Sequence, residues 1–338
     1  MAETMKGMAV RRYGETSLLE EMDFPMPTLN EEDVLIEIHT ASVNPIDYKS
    51  RNGMVKILYT SPMPMILGND CAGIVSRVGA KVTQFKVGDL VYTRPPSNRT
   101  GTFAEFIAVE QRYVSRMPDC LDFVEAAGIP LVGLTAYQAF YNRLKLKPGQ
   151  KVLIHAGAGG LGTFAIQLAK RMGLYVATTT SEKGYELVKA LGADEIINYK
   201  MEAFDQKLHD FDAVLDTLGG SHLIKSFKVV KKGGKVLSVS GIPDRRTASE
   251  FGLNFLPMTL ITLAGLNITA TAYYYGVHYE FLPMEANGQQ LQDITEWIEQ
   301  GQIKPVVDRT YSLSDAQQAL DYVETGRAKG KVIIKVRA

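Results

Sequence analysis

The run His155-Ala156-Gly157-Ala158-Gly159-Gly160-Leu161-Gly162 constrains this chain more than any other stretch. It follows a strand-like segment, 151–156, and opens a helix-like one, 161–172, so Gly157, Gly159 and Gly162 form a GxGxxG turn in the setting that gives the motif meaning. The first glycine permits the tight turn, the second lets backbone approach a pyrophosphate, and the third allows close helix-to-strand packing. The free amides at the helix start, on Gly160 and Leu161, face the anion. His155, at the end of the strand, reads as a packed residue rather than a catalyst.

Strand patterns at 175–179, 195–199, 213–218 and 235–240 alternate with helix patterns at 183–191 and 221–230. Repeated βα units of this length predict a parallel sheet covered by helices, with right-handed crossovers. The texture from residue 6 to about 124 is different: short β-like runs at 34–38, 73–78, 88–92 and 104–109 lie between Gly, Pro and Asn, which predicts a small all-β unit. Helical spacing over 123–143, stopped by Pro148-Gly149, marks the passage from one to the other. Past Tyr275 the alternation ends, with helices expected at 289–300 and 314–325 and a closing strand at 331–336.

Lys and Arg number 37 against 37 Asp and Glu, so no net field draws the chain to nucleic acid or to an anionic membrane. The two cysteines, Cys71 and Cys120, are too few for a disulfide framework or a four-thiolate zinc site, and a reducing cytoplasmic setting is expected. Residues 1–13 carry Glu3, Lys6, Arg11 and Arg12 without an apolar core and read as no secretory signal. The most membrane-like stretch, 255–276, is interrupted by Pro257, Gly265, Asn267 and four threonines, and is expected to be buried strand and loop.

The strand after the glycine turn ends Ala177-Thr178-Thr179-Thr180-Ser181, where an NAD-specific fold places an acid for the ribose 2′-hydroxyl. Hydroxyls of Thr180 and Ser181 can bond a 2′-phosphate, Lys183 supplies charge, and Tyr199 ends the neighbouring strand. Glu182 lies about 20 residues past the last glycine, where the NAD acid is expected, but one or two residues beyond the strand edge. NADP(H) is therefore the expected cofactor; against it, Lys183 also reads as the start of a solvated helix face.

Leu67-Gly68-Asn69-Asp70 with Ala72-Gly73, then Val87-Gly88-Asp89, Pro148-Gly149, the glycine turn, Leu191-Gly192-Ala193-Asp194 and Gly330-Lys331-Val332 follow one another in an order that resembles the medium-chain dehydrogenase/reductase superfamily over essentially the whole chain. The resemblance implies an α/β fold with a discontinuous GroES-like β-barrel catalytic domain, 1–126 and 273–338, and a Rossmann dinucleotide-binding domain, 127–272. In the zinc alcohol dehydrogenases of that superfamily Cys and His hold the catalytic metal. The matching positions here are Asn44 and the Gly68-Asn69-Asp70 triplet, and no cysteine falls near 131–135. Amides are poor zinc ligands, so no metal is expected.

Without a Lewis acid the substrate must already be electrophilic. The chain thus resembles the zinc-independent quinone oxidoreductase and enone/enal reductase branch, a group of NADPH-dependent enzymes that transfer hydride to a quinone or to the β-carbon of an enone. Carried over by position, Asn44 and Asp47 orient the cofactor end, and Lys49 bonds the substrate carbonyl or the cofactor, with Tyr48 and Tyr59 behind it. Thr135 and the Ser240-Gly241 pair match nicotinamide contacts. Plainer readings stand beside these: Asn44 and Thr135 as helix caps, Lys49 as a solvated turn lysine. Tyr273, Tyr274 and Tyr275 either wall a substrate pocket or pack a subunit interface, and 267–275 is expected as the edge strand of a homodimer. A 2-enoyl thioester reductase and a cofactor-binding relative without turnover, crystallin-like or RNA-binding, remain as alternatives.

Overall fold

Apolar and β-branched runs between turns build strands along the first third of the chain: β1 (Thr4–Val10), β2 (Glu20–Pro25), β3 (Asp33–Val43), β4 (Met65–Ile66), β5 (Cys71–Val78), β6 (Leu90–Thr93), β7 (Phe106–Glu110) and β8 (Val114–Arg116). One helix, α1 (Pro45–Arg51), leaves the end of β3. The computed structural model describes residues 3–56, 61–250 and 255–337. The helical stretch expected after 123 is α2 (Phe123–Ala127), α3 (Pro130–Tyr137) and a π-helical continuation, Gln138–Leu144, which ends where Lys145 turns left-handed at φ 53°.

Strand and helix then alternate: β9 (Lys151–Ile154), α4 (Gly160–Arg171), β10 (Tyr175–Thr180), α5 (Tyr185–Ala190), β11 (Glu195–Asn198), α6 (Phe204–Lys207), β12 (Phe211–Asp216), α7 (Gly220–Val229), β13 (Val230–Ser238), α8 (Arg245–Glu250), α9 (Phe255–Ala264), α10 (Leu266–Tyr275) and β14 (His278–Phe281). The strands pair in parallel in the order β11-β10-β9-β12-β13-β14. Because β9 lies between β10 and β12, the order reverses at the strand that precedes the glycine turn, the place where open α/β sheets bind ligands. Leu153, Val214 and Val236 are fully buried on the sheet, and Phe227 of α7 joins them.

The chain returns through α11 (Gly288–Glu299), β15 (Val307–Ser312), α12 (Ala316–Glu324) and β16 (Lys331–Lys335). Tyr92 of β6 donates its hydroxyl to the Leu291 carbonyl of α11 at 2.8 Å, and β16 inserts between β15 and β3. The resulting sheet runs β15-β16-β3-β5-β6-β8, with β7 also paired to β3, beside a smaller β2-β1-β4 sheet. Two compact units result: Met1–Leu134 with Glu285–Ala338, and Thr135–Met284.

Two expectations are corrected. Residues 255–276 are not buried strand and loop, and 267–275 is no edge strand: both are helical, with Leu260, Leu263 and Leu266 more than half exposed. Three of the four threonines that interrupt this stretch bond carbonyls four residues back, Thr262 to Met258, Thr269 to Gly265 and Thr271 to Asn267, which satisfies these hydroxyls inside the helices. Gly265 separates the two helices, and Gly276 at φ 65° ends the second. β14 pairs with β13 at the edge of the six-stranded sheet.

Candidate active site

In the second unit the chain leaves β9 through the glycine turn. A Cβ on Gly157 would lie 2.1 Å from Thr178 Oγ1, and one on Gly162 would lie 2.4 Å from the Ala156 carbonyl and 2.5 Å from Gly157 Cα. Those two glycines are demanded by contact. Gly159, the residue before α4, is different: a Cβ there meets only the Ala156 carbonyl, at 3.3 Å. Its bareness keeps open the space in front of the helix amides, which suits close approach of a pyrophosphate. The turn therefore fits a dinucleotide, with the amides of Gly160 and Leu161 at the start of α4 as its anion donors, while the Gly159 amide closes the turn on the Ala156 carbonyl at 2.9 Å.

His155 is buried, with Nε2 2.9 Å from Ser226 Oγ and Nδ1 3.2 Å from Thr179 Oγ1. Burial, and then His222 nearby, push its pKa down to about 3, so the ring is neutral and packed. At the same end of the sheet Asp216 is buried and accepts from Ser238 Oγ (2.6 Å) and the Gly219 amide (3.0 Å). Ser238 Oγ in turn receives the amides of Gly241 (2.7 Å) and Ser240 (3.1 Å), so this chain of bonds pins the Ser240-Gly241 loop. Asp216 was not singled out in sequence; its signal was an acid closing the apolar run Ala213-Val214-Leu215.

β10 ends at Thr180, which places Glu182 two residues beyond the edge, exposed, with its carboxylate accepting from Asn198 Nδ2 at 3.0 Å. Thr180 is buried beneath Gly184, whereas Ser181 is half-buried and Lys183 and Tyr199 are exposed. The Tyr199 amide donates to the Thr180 carbonyl at 3.1 Å, so both strand ends lie side by side. Thr135 is buried inside α3 and does not open that helix.

In the first unit strand register assembles a polar cluster under the apolar sheet. β3 pairs with β16 so that Val43 faces Val332, bringing Lys331 beside Asn44. It pairs with β5 so that Ala41 faces Cys71, bringing Asp70 beside Ser42. Lys331 Nζ donates to Asn44 Oδ1; Asn44 Nδ2 donates to Asp70 Oδ1 at 3.0 Å, and the same oxygen accepts from Ser42 Oγ. Asp47 caps the start of α1 by accepting the Asn44 amide at 2.7 Å, and its other oxygen accepts Asn69 Nδ2 at 2.6 Å. All six side chains are buried.

Burial pulls the ionisable members toward their neutral forms. It pushes the Asp47 carboxyl up to about 7 against the bonds from Asn69 and Asn44, and raises Asp70 against Lys331. Burial also lowers Lys331, opposed by Asp70 and Asp47. The cluster joins Asn44 and Asp47, both singled out in the sequence, to Asn69 and Asp70 of the triplet that matches the metal-site positions and to Lys331, which entered only as family punctuation. Lys49 and Tyr48 follow on α1, each partly exposed; Tyr59 lies outside the described residues. Beside α1 an open cavity is lined by Ile46, Ser50, Gly68, Asn69, Arg94 and Thr100, among others.

These residues do not fit zinc. The amide nitrogens of Asn44 and Asn69 donate to carboxylates, and Asn44 Oδ1 faces an ammonium, so the cluster turns its lone pairs inward to N–H donors. Among the described residues no three His, Cys, Asp or Glu side chains gather as metal ligands, and none of their helices is long and apolar enough to cross a membrane.

A parallel sheet that opens its first crossover on this turn, carried with a β-rich unit formed from both ends of the chain, defines a two-unit dinucleotide-binding protein. Comparison with known proteins agrees. The alcohol dehydrogenase GroES-like domain matches residues 30–119 and the zinc-binding dehydrogenase family residues 191–334. The chain is 35% identical to 2-methylene-furan-3-one reductase of Solanum lycopersicum, over 98% of its own length and 79% of that protein. It is 33% identical to the chloroplastic NADPH-dependent alkenal/one oxidoreductase of Arabidopsis thaliana, with the same coverage. The solved quinone oxidoreductase of Coxiella burnetii superposes with a TM-score of 0.86 at 32% identity, covering 99% of this chain and all of that one. The protein belongs to the medium-chain dehydrogenase/reductase superfamily, in its quinone oxidoreductase and enone reductase branch. It is an oxidoreductase that uses a nicotinamide cofactor.

Proposed function

We propose that this protein is an NADPH-dependent reductase of quinones and α,β-unsaturated ketones and aldehydes that works without zinc. The observation that carries the reading is the internally satisfied hydrogen-bond cluster of Lys331, Asn44, Asp70, Asp47 and Asn69, in which Asn44 and Asn69 stand at the positions that match the Cys and His ligands of the zinc alcohol dehydrogenases. Without a Lewis acid this site is poorly equipped to activate an alcohol for oxidation, whereas a conjugated carbonyl is already electrophilic. Bound nicotinamide supplies the hydride. Gly157, Gly159, Gly160, Leu161 and Gly162 hold the pyrophosphate, while Thr135, Ser240 and Gly241 hold the nicotinamide end. Asn44 and Asp47 act as positioning residues that set α1, and Lys49 donates to the oxygen on which charge develops. Hydride adds to the β-carbon, the electron pair moves to the carbonyl oxygen, and a solvent proton completes the α-carbon.

Ser181, Lys183 and Tyr199, with Thr180 beneath them, receive the 2′-phosphate in this reading, and the tie between Glu182 and Asn198 keeps the one nearby carboxylate engaged elsewhere. Lys183→Ala is expected to weaken NADPH binding about 10-fold, the loss of a charge-assisted contact, with NADH binding nearly unchanged. Fluorescence titration with both reduced cofactors checks this; an unchanged NADPH affinity removes the assignment. A twofold dimer belongs to the same reading, through β14 at the end of the strand order and the exposed Tyr273 and Tyr274; a monomer by light scattering would remove it. The two free thiols, Cys71 and Cys120, accord with a reducing cytoplasmic setting.

A further inference from the structure

The buried Asp216 closes β12, and the steps proposed above leave it unused. Its Oδ1 accepts the amides of Leu218 (3.1 Å) and Gly219 (3.0 Å), in the loop that follows its own strand. Its Oδ2 accepts Ser238 Oγ at 2.6 Å, from the end of the neighbouring β13. Ser238 Oγ is itself the acceptor of two amides, Ser240 at 3.1 Å and Gly241 at 2.7 Å. A hydroxyl has two lone pairs and one proton, so with both lone pairs engaged the proton goes to Asp216. Every group bonded to this carboxyl is then a donor, which calls for the carboxylate form. Burial pushes its pKa up, and the bonds from Ser238, Gly219 and Leu218, with His222 nearby, oppose that rise.

The loops after β12 and β13 also touch through their backbones. Gly219 is left-handed at φ 70°, and a Cβ there would lie 2.6 Å from the Ser240 carbonyl oxygen. A Cβ on Gly241 would lie 2.4 Å from Tyr279 Oη, which donates to the Ile242 carbonyl at 2.6 Å and so holds the second loop from β14. Toward β9, Thr217 Oγ1 donates to the His155 carbonyl at 3.0 Å, tying the first loop to the segment that enters the glycine turn. A continuous path of bonds thus runs from His155 through Thr217, Asp216 and Ser238 to Ser240 and Gly241.

We infer that Asp216 is a positioning residue for the nicotinamide end of the cofactor: it draws the Ser238 hydroxyl proton to itself, turns the Ser238 lone pairs to the loop amides, and so fixes Ser240 and Gly241 relative to the glycine turn. The inference rests on the reading that gives Ser240 and Gly241 the nicotinamide end. The device works by polarity and not by shape. In Asp216→Asn the side chain keeps its size but one end becomes a donor. Turned to Ser238, that end meets an oxygen already taken by two amides; turned to Leu218 and Gly219, it sets donor against donor. Either orientation breaks the path.

The test compares whole NADPH with 2′,5′-ADP, which carries the adenosine half and no nicotinamide, in the wild type, Asp216→Asn, Ser238→Ala and the double variant. Calorimetry gives both affinities, and steady-state reduction of a simple enone gives kcat and the KM for NADPH. Asp216→Asn is expected to weaken NADPH about 10-fold and to lower kcat at saturating NADPH about 10-fold, while 2′,5′-ADP stays within about threefold of wild type. Ser238→Ala should do the same, and the double variant should be no worse than about the poorer single one, because both residues lie on one path. An Asp216→Asn protein with wild-type NADPH affinity and kcat overturns the proposal. So does one that loses 2′,5′-ADP in step with NADPH, since a residue that only stabilises the fold would weaken both alike. Should Asp216→Asn not fold, Ser238→Ala decides by the same measurements. A wild type that binds NADPH no more tightly than 2′,5′-ADP removes the nicotinamide assignment of Ser240 and Gly241, and the proposal with it. If no enone or quinone is reduced but the variants still lose NADPH and keep 2′,5′-ADP, the reductase reading fails and the role of Asp216 stands.

Discussion

Gly162→Ala is expected to weaken dinucleotide binding about 100-fold and to destabilise the second unit by about 2 kcal/mol. The added methyl would lie 2.4 to 2.7 Å from the Ala156 carbonyl and the Gly157 backbone, atoms that cannot rotate away. Relief requires α4 to move off the turn, and with it the amides that hold the pyrophosphate. Gly159→Ala provides the contrast. Its methyl meets one atom at 3.3 Å, and φ there is −80°, ordinary for alanine, so unfolding should shift by no more than about 1 kcal/mol. Affinity should still fall sharply, because the methyl fills the space the anion needs. Equilibrium unfolding with cofactor titration separates the two effects; two variants that lost stability and affinity alike would mean the turn is a packing device only.

Lys331→Met should destabilise the first unit by about 3 to 5 kcal/mol, the cost of leaving buried carboxylates without their cation. The loss should depend on pH with a definite sign. Asp47 titrates near 7 in the folded protein, above its value of about 4 in the unfolded chain, so the folded state holds its proton longer. Its contribution is fully present below pH 4 and is lost as pH rises toward 7. Removing the ammonium raises both buried carboxylates further, so the variant should lose stability more steeply across the same window and beyond it. Combining Lys331→Met with Asp70→Asn should restore part of the loss. Denaturant titrations at pH 5 and pH 8 check this. A Lys331→Met protein within 1 kcal/mol of wild type at both pH values would show that the cluster does not depend on its cation.

Much of the second unit was legible because its signals are local. The glycine turn, the strands of 4 to 6 residues around it and the helices between them each carry their own periodicity. The cluster in the first unit was not, because it is made by register: Lys331 reaches Asn44 only once β16 has paired with β3, almost a whole chain length away. Asn44 and Asp47 were visible as a helix start, yet their partners were not. The helices α9 and α10 were misread for a related reason. Threonine, glycine and proline weigh against a helix in sequence, but hydroxyls that bond back four residues remove the objection. β14 was not legible either, because it is short and its pairing with β13 is parallel, which a sequence pattern does not announce.

Conjugate hydride transfer in this enzyme should need no metal. Enzyme dialysed against a chelator and mixed with NADPH dideuterated at nicotinamide C4 and a simple enone tests it most directly, with the product read by NMR. The account predicts undiminished turnover, a saturated ketone carrying one deuterium on its β-carbon, and transfer about 100-fold slower in Lys49→Ala. An allylic alcohol labelled on the carbinol carbon, or activity that returns only on adding zinc, would contradict it.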